Sequence, residues 1–308
     1  MHLGITAAAA GLAAWIACGP FESNAADSAY SLFAPTNLVA WCIVPFDAKK
    51  RGPEERAAML EHLGFSQFAY DYRAEHIPGF DAEMEALKRH HIRLLAWWFP
   101  TDLNDEARLI LDVLKRHHLT GVQLWVMGAG GATTNAGDQK ARVASEADRI
   151  ERIARPALPL GSPVALYNHG GWFGEPENQL EIIALLQSRG VTNVGIVYNL
   201  HHGHDQVKRF PELLARMKPH LLAINLNGMT RGGDKNGKLI LPLGQGELDL
   251  ELLRDIRASG WHGPIGLLNH TDEDAESRLR KNLRGLEQLV QQLDNPAPAS
   301  EIKPLPSR

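Results

Sequence analysis

Five asparagines and five histidines stand at or just past the ends of short apolar runs: Asn168 and His169, Asn199 with His201, His202 and His204, Asn225 and Asn227, and Asn269 with His270. Asp71 and Arg73 follow another such run. Side-chain amides donate and accept hydrogen bonds at once, so repeated asparagines suit a ligand covered in hydroxyl groups. Imidazole changes charge near neutral pH, which suits it to abstracting a proton next to a carbonyl. The chemistry implied is proton transfer on a sugar. His169 or His202 would be the general base, and Asn168, Asn199, Asn225, Asn227, Asn269 and His270 would hold hydroxyls. Arg73 would stabilise an enediolate. Asp71 joins them as a catalytic candidate, and Trp125 offers an indole plane for the apolar face of a sugar ring. His169, His202 and His204 could also gather a divalent metal, zinc or manganese, through three imidazoles.

Each group has a plainer structural reading. Residues His201 to His204 could cap or pack a helix start, and Asp71 to His76 could hold a surface ion pair. Asparagines at strand ends could satisfy the barrel rim, and tryptophans within strands, Trp97, Trp98 and Trp125, could be core. Their common placement after apolar runs is what favours a site.

These residues need a scaffold that brings eight run ends together. The runs are 38–44, 67–70, 93–99, 121–126, 164–167, 194–198, 221–226 and 265–268, rich in β-branched, aliphatic and aromatic residues. Amphipathic stretches alternate with them at 53–63, 82–90, 105–117, 144–153, 177–189, 206–217, 248–258 and 273–293. Strict alternation predicts parallel strands with crossover helices, and eight such units predict a single-domain (β/α)8 TIM barrel with its site at the C-terminal strand ends. No Gly-x-Gly-x-x-Gly follows the first strand, so no nucleotide cofactor is expected. Asn104 ahead of Asp105, and Gly52-Pro53, mark helix starts, while Gly64, Gly190 and Gly260 mark helix ends. Two long connections, 127–143 and 228–247, follow strands and read as lids.

The chain has 308 residues, 44% hydrophobic and 22% charged, with a formal net charge of −4. That balance offers no field to attract nucleic acid. The small apolar run from Leu3 to Cys18, followed by Ser23-Asn24-Ala25, predicts a signal peptide over 1–25 and a periplasmic or extracellular protein. It is too short for a membrane span. A lipoprotein anchored at Cys18 is the alternative. A linker (26–36), the barrel (37–293) and a proline-bearing disordered tail (294–308) complete the expected organisation. Cys42 then stands alone, which leaves no internal disulfide in the mature chain.

Over 37–293 the sequence resembles the xylose isomerase-like superfamily of TIM barrels, the sugar phosphate isomerases and epimerases and endonuclease IV, and within it an exported bacterial branch. The resemblance rests on Leu166-Tyr167-Asn168-His169-Gly170, Tyr198-Asn199-Leu200-His201-His202, Ile224-Asn225-Leu226-Asn227-Gly228 and Leu243-Gly244-Gln245-Gly246-Glu247-Leu248-Asp249. It implies a carbohydrate-active isomerase, epimerase or lyase, and it places Gln245 among the substrate-binding candidates. The superfamily's metal site uses Glu, Asp-x-x-His, His and Glu on strands 5 to 8. The matching places here hold Tyr167 or Asn168, Asn199 with His202, Asn225, and Leu268 or Asn269, so only His202 remains of that set. A sugar-binding barrel without catalysis and a zinc-dependent hydrolase are the rival readings.

Overall fold

Runs without a helical stripe, buried on both faces, favour parallel strands. In the computed structural model, which describes residues 32–295, the eight runs form one closed parallel barrel ordered β1 to β8. The strands are β1 (Leu38–Trp41), β2 (Gln67–Tyr70), β3 (Arg93–Phe99), β4 (Gln123–Val126), β5 (Val164–Tyr167), β6 (Val194–Asn199), β7 (Leu221–Leu226) and β8 (Ile265–Leu268). The crossover helices are α1 (Pro53–His62), α2 (Phe80–Arg89), α3 (Asp105–Arg116), α4 (Ala136–Ala157), α5 (Pro176–Ser188), α6 (Phe210–Met217), α7 (Asp249–Ala258) and α8 (Ala275–Asp294). Among the described residues no helix is long and apolar enough to cross a membrane. The leader, Cys18 and the tail beyond Asn295 lie outside the described residues.

Strand alternation splits the core in two. Val39, Trp41, Ala69, Trp125, Ala165, Tyr167, Val197, Ala223 and Leu268 fill the barrel interior. Leu38, Ala40, Phe68, Tyr70, Trp97, Phe99, Leu124 and Val126 face the helices. Interior packing alternates three large aromatics with small residues, which fits side chains from eight strands into one narrow space.

The helix signals act as expected: the Asn104 side chain accepts from the Ala107 amide at 2.8 Å, and Gly64, Gly190 and Gly260 take φ of 81°, 77° and 66°. Four expectations need correction. The stretch 127–143 is not one long lid, because α4 already begins at Ala136, with the Asn135 side chain capping the Asp138 amide. β1 stops at Trp41 rather than Val44, because Cys42 turns to φ 58°. The linker's Leu32 and Phe33 are buried in the helix-facing core, and the Asn37 amide donates to the Leu32 and Gly263 carbonyls. The last helix continues through Asp294.

The β7–α7 connection is strapped down rather than loose. Gly228 pairs with Leu241, and Asp249 accepts hydrogen bonds from the Met229, Gly244 and Gly246 amides. Backbone meets backbone where this strap crosses α8: a Cβ on Gly285 would lie 1.8 Å from the Leu243 carbonyl oxygen. Gly285→Ala is therefore expected to destabilise the barrel by about 1–3 kcal/mol, read as a lower urea midpoint at unchanged slope.

Candidate active site

A closed ring of side chains surrounds the C-terminal mouth. Its members come from the end of β3 and from the segments after five other strands, which is where a barrel presents its loops. The Phe46 ring lies 3.9 Å from His270, His270 lies 5.6 Å from His201, and His201 lies 4.2 Å from His202, measured between centroids. His202 lies 4.4 Å from His169, which lies 6.1 Å from Trp98. Trp98 and Arg73 line one hollow of about 260 Å³, and the Arg73 guanidinium sits 5.4 Å over Phe46, which closes the ring. His169, His202, His270, Asp71 and Arg73 are thus brought to one place.

Tyr167 forms the floor, buried, with Trp98 edge-on at 5.0 Å and His202 edge-on at 5.7 Å. Its hydroxyl accepts from the Trp41 indole N–H at 3.3 Å and from the Asn199 amide. Asn199 Oδ1 accepts from the His201 amide, which fixes that orientation. Two donors occupy the hydroxyl's lone pairs, so its own proton remains to be donated to a third group. Burial pushes the Tyr167 pKa far above the ordinary phenol range, so the group stays protonated.

Asp71 is buried beside this floor. Its Oδ1 accepts from the Val44 amide at 3.2 Å, while Oδ2 has no partner among the described residues. Burial raises its pKa to about 7, with Arg73 and the Val44 bond acting against that. The buried Cys42 thiol lies against it and is held well above its usual pKa, first by burial and then by the Asp71 charge. Arg73 is exposed; one nitrogen donates to the Asp71 and Tyr72 carbonyls, and its backbone amide donates to His76 Nδ1.

The asparagines divide into groups. Asn168 spends its amide on β6, accepting from the Asn199 amide at 2.7 Å and donating to the Asn199 carbonyl at 3.1 Å. Asn199 supports the floor, and the Asn227 amide nitrogen donates to the Gly228 carbonyl. Asn225 and Asn269 are fully buried with both side-chain polar atoms unpartnered among the described residues. Such groups are costly unless water or ligand satisfies them. Gly266 makes room for Asn225, since a Cβ there would meet Asn225 Oδ1 at 1.9 Å. Trp125 does not reach the mouth: it is fully buried beneath Trp41 and donates to Gln123. Gln245 is exposed at the turn of the strap, outside the ring.

Tyr167, Trp98, Trp41, Phe46 and Cys42 are the site residues that sequence reasoning passed over. Strand alternation is the signal that could have found Trp98. Trp97 packs against Phe80 of α2 at 4.9 Å, so its neighbour must face the other way.

The histidines are held neutral. Burial lowers His202 to about 2 and His201 to about 4, and neighbouring imidazoles add to both shifts. Burial also lowers His169 and His270. His204 stands apart, with Nε2 on the Leu239 carbonyl at 2.9 Å, so the expected His169, His202 and His204 triad is not assembled. Among the described residues no three His, Cys, Asp or Glu side chains are gathered as metal ligands. The inward positions at the ends of β5 to β8 hold Tyr167, Asn199, Asn225 and Leu268, which carry no anionic oxygen, and the first two hydrogen-bond each other. A divalent cation needs charge compensation from anionic oxygens, and this set supplies none and leaves only the Asn225 amide open, so the residues do not fit such an ion.

No family model matches this chain, and no curated protein matches it. Solved structures do match its (β/α)8 fold, several of them described as xylose isomerase domain proteins. A xylose isomerase domain protein from Alicyclobacillus acidocaldarius is similar at 18% identity and a TM-score of 0.60, covering 84% of this chain and 99% of that one. A 3-keto-D-glucoside 4-epimerase from E. coli is similar at 15% identity and a TM-score of 0.60, covering 83% and 99%. The IolI protein, solved with a zinc atom, is similar at 16% identity and a TM-score of 0.62, covering 83% and 99%.

Proposed function

We propose that this chain is an exported carbohydrate-active isomerase, epimerase or lyase that removes a proton next to a sugar carbonyl. The observation that carries the reading is the ring of neutral imidazoles closed by Trp98 above a hydroxyl donor. The sugar epimerase among the fold's neighbours supports the substrate class, and the apolar leader supports export.

His169 is the base. It is exposed at the mouth and its pKa is lowered, so it is neutral at pH 7 and free to accept a proton. His202, at about 2, is too weakly basic for that task. A neutral imidazole N–H can instead polarise a carbonyl, as a neutral histidine does in triosephosphate isomerase. The proton from the carbon next to the carbonyl goes to His169, and the electron pair of that bond moves onto the carbonyl oxygen. His202 N–H and the Tyr167 hydroxyl donate to the resulting enediolate oxygen. Return of the proton to the opposite face gives the epimer; its return to the former carbonyl carbon, with the proton of the neighbouring hydroxyl passing to the former carbonyl oxygen, gives the isomer; and departure of a hydroxyl from the next carbon as water, carrying the proton held by His169, gives the lyase product. Asn225 and Asn269 supply amides for the sugar hydroxyls.

The test is deuterium incorporation in D2O, followed by NMR, over a panel of sugars and keto-sugars with and without added zinc or manganese. Exchange at the carbon next to the carbonyl is expected. Saccharide binding without exchange or turnover would replace this reading with that of a binding barrel.

A further inference from the structure

We propose that the sugar taken by this mouth carries a carboxylate, as uronic and aldonic acids do, and that the free edge of the Arg73 guanidinium binds it. The inference rests on the sugar-site reading and narrows its substrate. Arg73 is held in place before any ligand arrives: one nitrogen is tied to the Asp71 and Tyr72 carbonyls at 3.0 and 2.8 Å, and the group lies over Phe46. This leaves a planar fork with one open edge, the geometry that matches the two oxygens of a carboxylate.

Its charge has no acidic partner within ion-pair distance among the described residues. Other arginines at this end of the barrel do have such partners: Arg51 pairs with Asp47 and Asp274, Arg209 with Glu175 and Glu177, and Arg231 with Glu247 and Glu251. The rest of the ring is neutral, since four imidazoles, Phe46 and Trp98 offer no competing anion. Asp71 lies close but is buried and only partly ionised at neutral pH, so it does not cancel the guanidinium. Glu106 lines the same hollow as Arg73 and is engaged by the Tyr72 hydroxyl. A single fork favours a planar monoanion over a phosphate, which barrels usually hold with several backbone N–H groups at a helix start.

The experiment is calorimetric binding of D-glucuronate against D-glucose, D-galacturonate against D-galactose, and glucose 6-phosphate, on the wild type, Arg73→Met and Arg73→Lys. Thermal unfolding serves as the control for folding. On the wild type the uronates are expected to bind on the order of tenfold to a hundredfold more tightly than their neutral counterparts, with the preference reduced at high salt. Arg73→Met should abolish that preference and Arg73→Lys should retain part of it. Equal binding of acid and neutral sugars, or a preference that survives in a folded Arg73→Met, overturns the assignment and leaves the sugar site standing. Tighter binding of the phosphate than of the uronates overturns the carboxylate. Failure of every sugar to bind removes both this inference and the function it rests on.

Discussion

Replacing His169 with asparagine is expected to lower kcat by about 10²–10⁴-fold on whichever sugar the exchange panel identifies, with KM and the unfolding midpoint little changed. The asparagine keeps a polar group at the mouth but cannot take the proton. Deuterium exchange should fall with turnover, because both need the same abstraction. The pH profile separates this role from simple packing. His169 acts when neutral, and burial holds its pKa below the ordinary 6.5. The acid limb of kcat/KM should therefore be centred below 6.5, with a plateau through neutral pH. An acid limb centred above 6.5, or a variant that exchanges at the wild-type rate, would remove His169 from the base's role. His202→Asn should also lower kcat but leave the position of that limb in place, since a group held at about 2 does not set it.

The barrel was legible in the sequence because its physics is local and repeated. Eight apolar runs separated by amphipathic stretches leave few topologies, and all eight strands fall where the runs stand. The misses have local causes too. The first two turns of α4, Ala136–Arg142, are polar and mostly exposed, so no apolar stripe announces them and only the Asn135 cap marks the start. The end of β1 depends on a left-handed Cys42, a conformation that a non-glycine residue rarely adopts and that its type does not announce.

The site was legible as a set of residues and not as an arrangement. Sequence position identifies a strand end, but adjacent residues there point to opposite sides. Asn168 was chosen where its neighbour Tyr167 faces the mouth, and Trp125 was chosen where Trp98 does. The asparagine positions also concealed a division of labour. Asn168 and Asn199 brace the wall and floor through hydrogen bonds, while Asn225 and Asn269 leave theirs unmade. That distinction depends on neighbours contributed by other strands, such as Gly266 on β8 and Trp41 on β1. At the inward ends of β5 to β8, Tyr167 and Asn199 bond to each other, while Asn225 is unpartnered and Leu268 is apolar.

Asp71 and His202 should give this protein two opposed pH dependences of stability, each removable by one substitution. A carboxyl whose folded-state pKa is raised binds a proton that the unfolded chain has already released. Between the ordinary 3.8 and about 7, stability therefore falls as pH rises, and above that window the whole cost of the buried charge is present. The shift corresponds to roughly 4 kcal/mol. Asp71→Asn keeps the size and the oxygen that accepts from Val44 but removes the ionisation. It should be more stable than the wild type at about pH 8 by several kcal/mol, and the gain should vanish toward about pH 4. Cys42, Arg73 and Arg56 act on this carboxyl, and the two arginines favour its charge. His202 runs the other way: the unfolded chain takes a proton below 6.5 while the folded ring refuses it, so its contribution is lost on acidification, by about 2 kcal/mol at about pH 5. His169, His201 and the protonated Tyr167 pack against His202, and these two imidazoles together with those of His270 and His204 disfavour its protonation. Relative to the wild type, His202→Asn should therefore lose less stability as pH falls, whatever offset its lost packing adds. Urea unfolding across this pH range reads both differences from the midpoints at constant slope. An Asp71→Asn difference that stays flat, or grows toward acid, would mean that this carboxyl is ionised at low cost, and that the mouth is more open to water than its burial indicates.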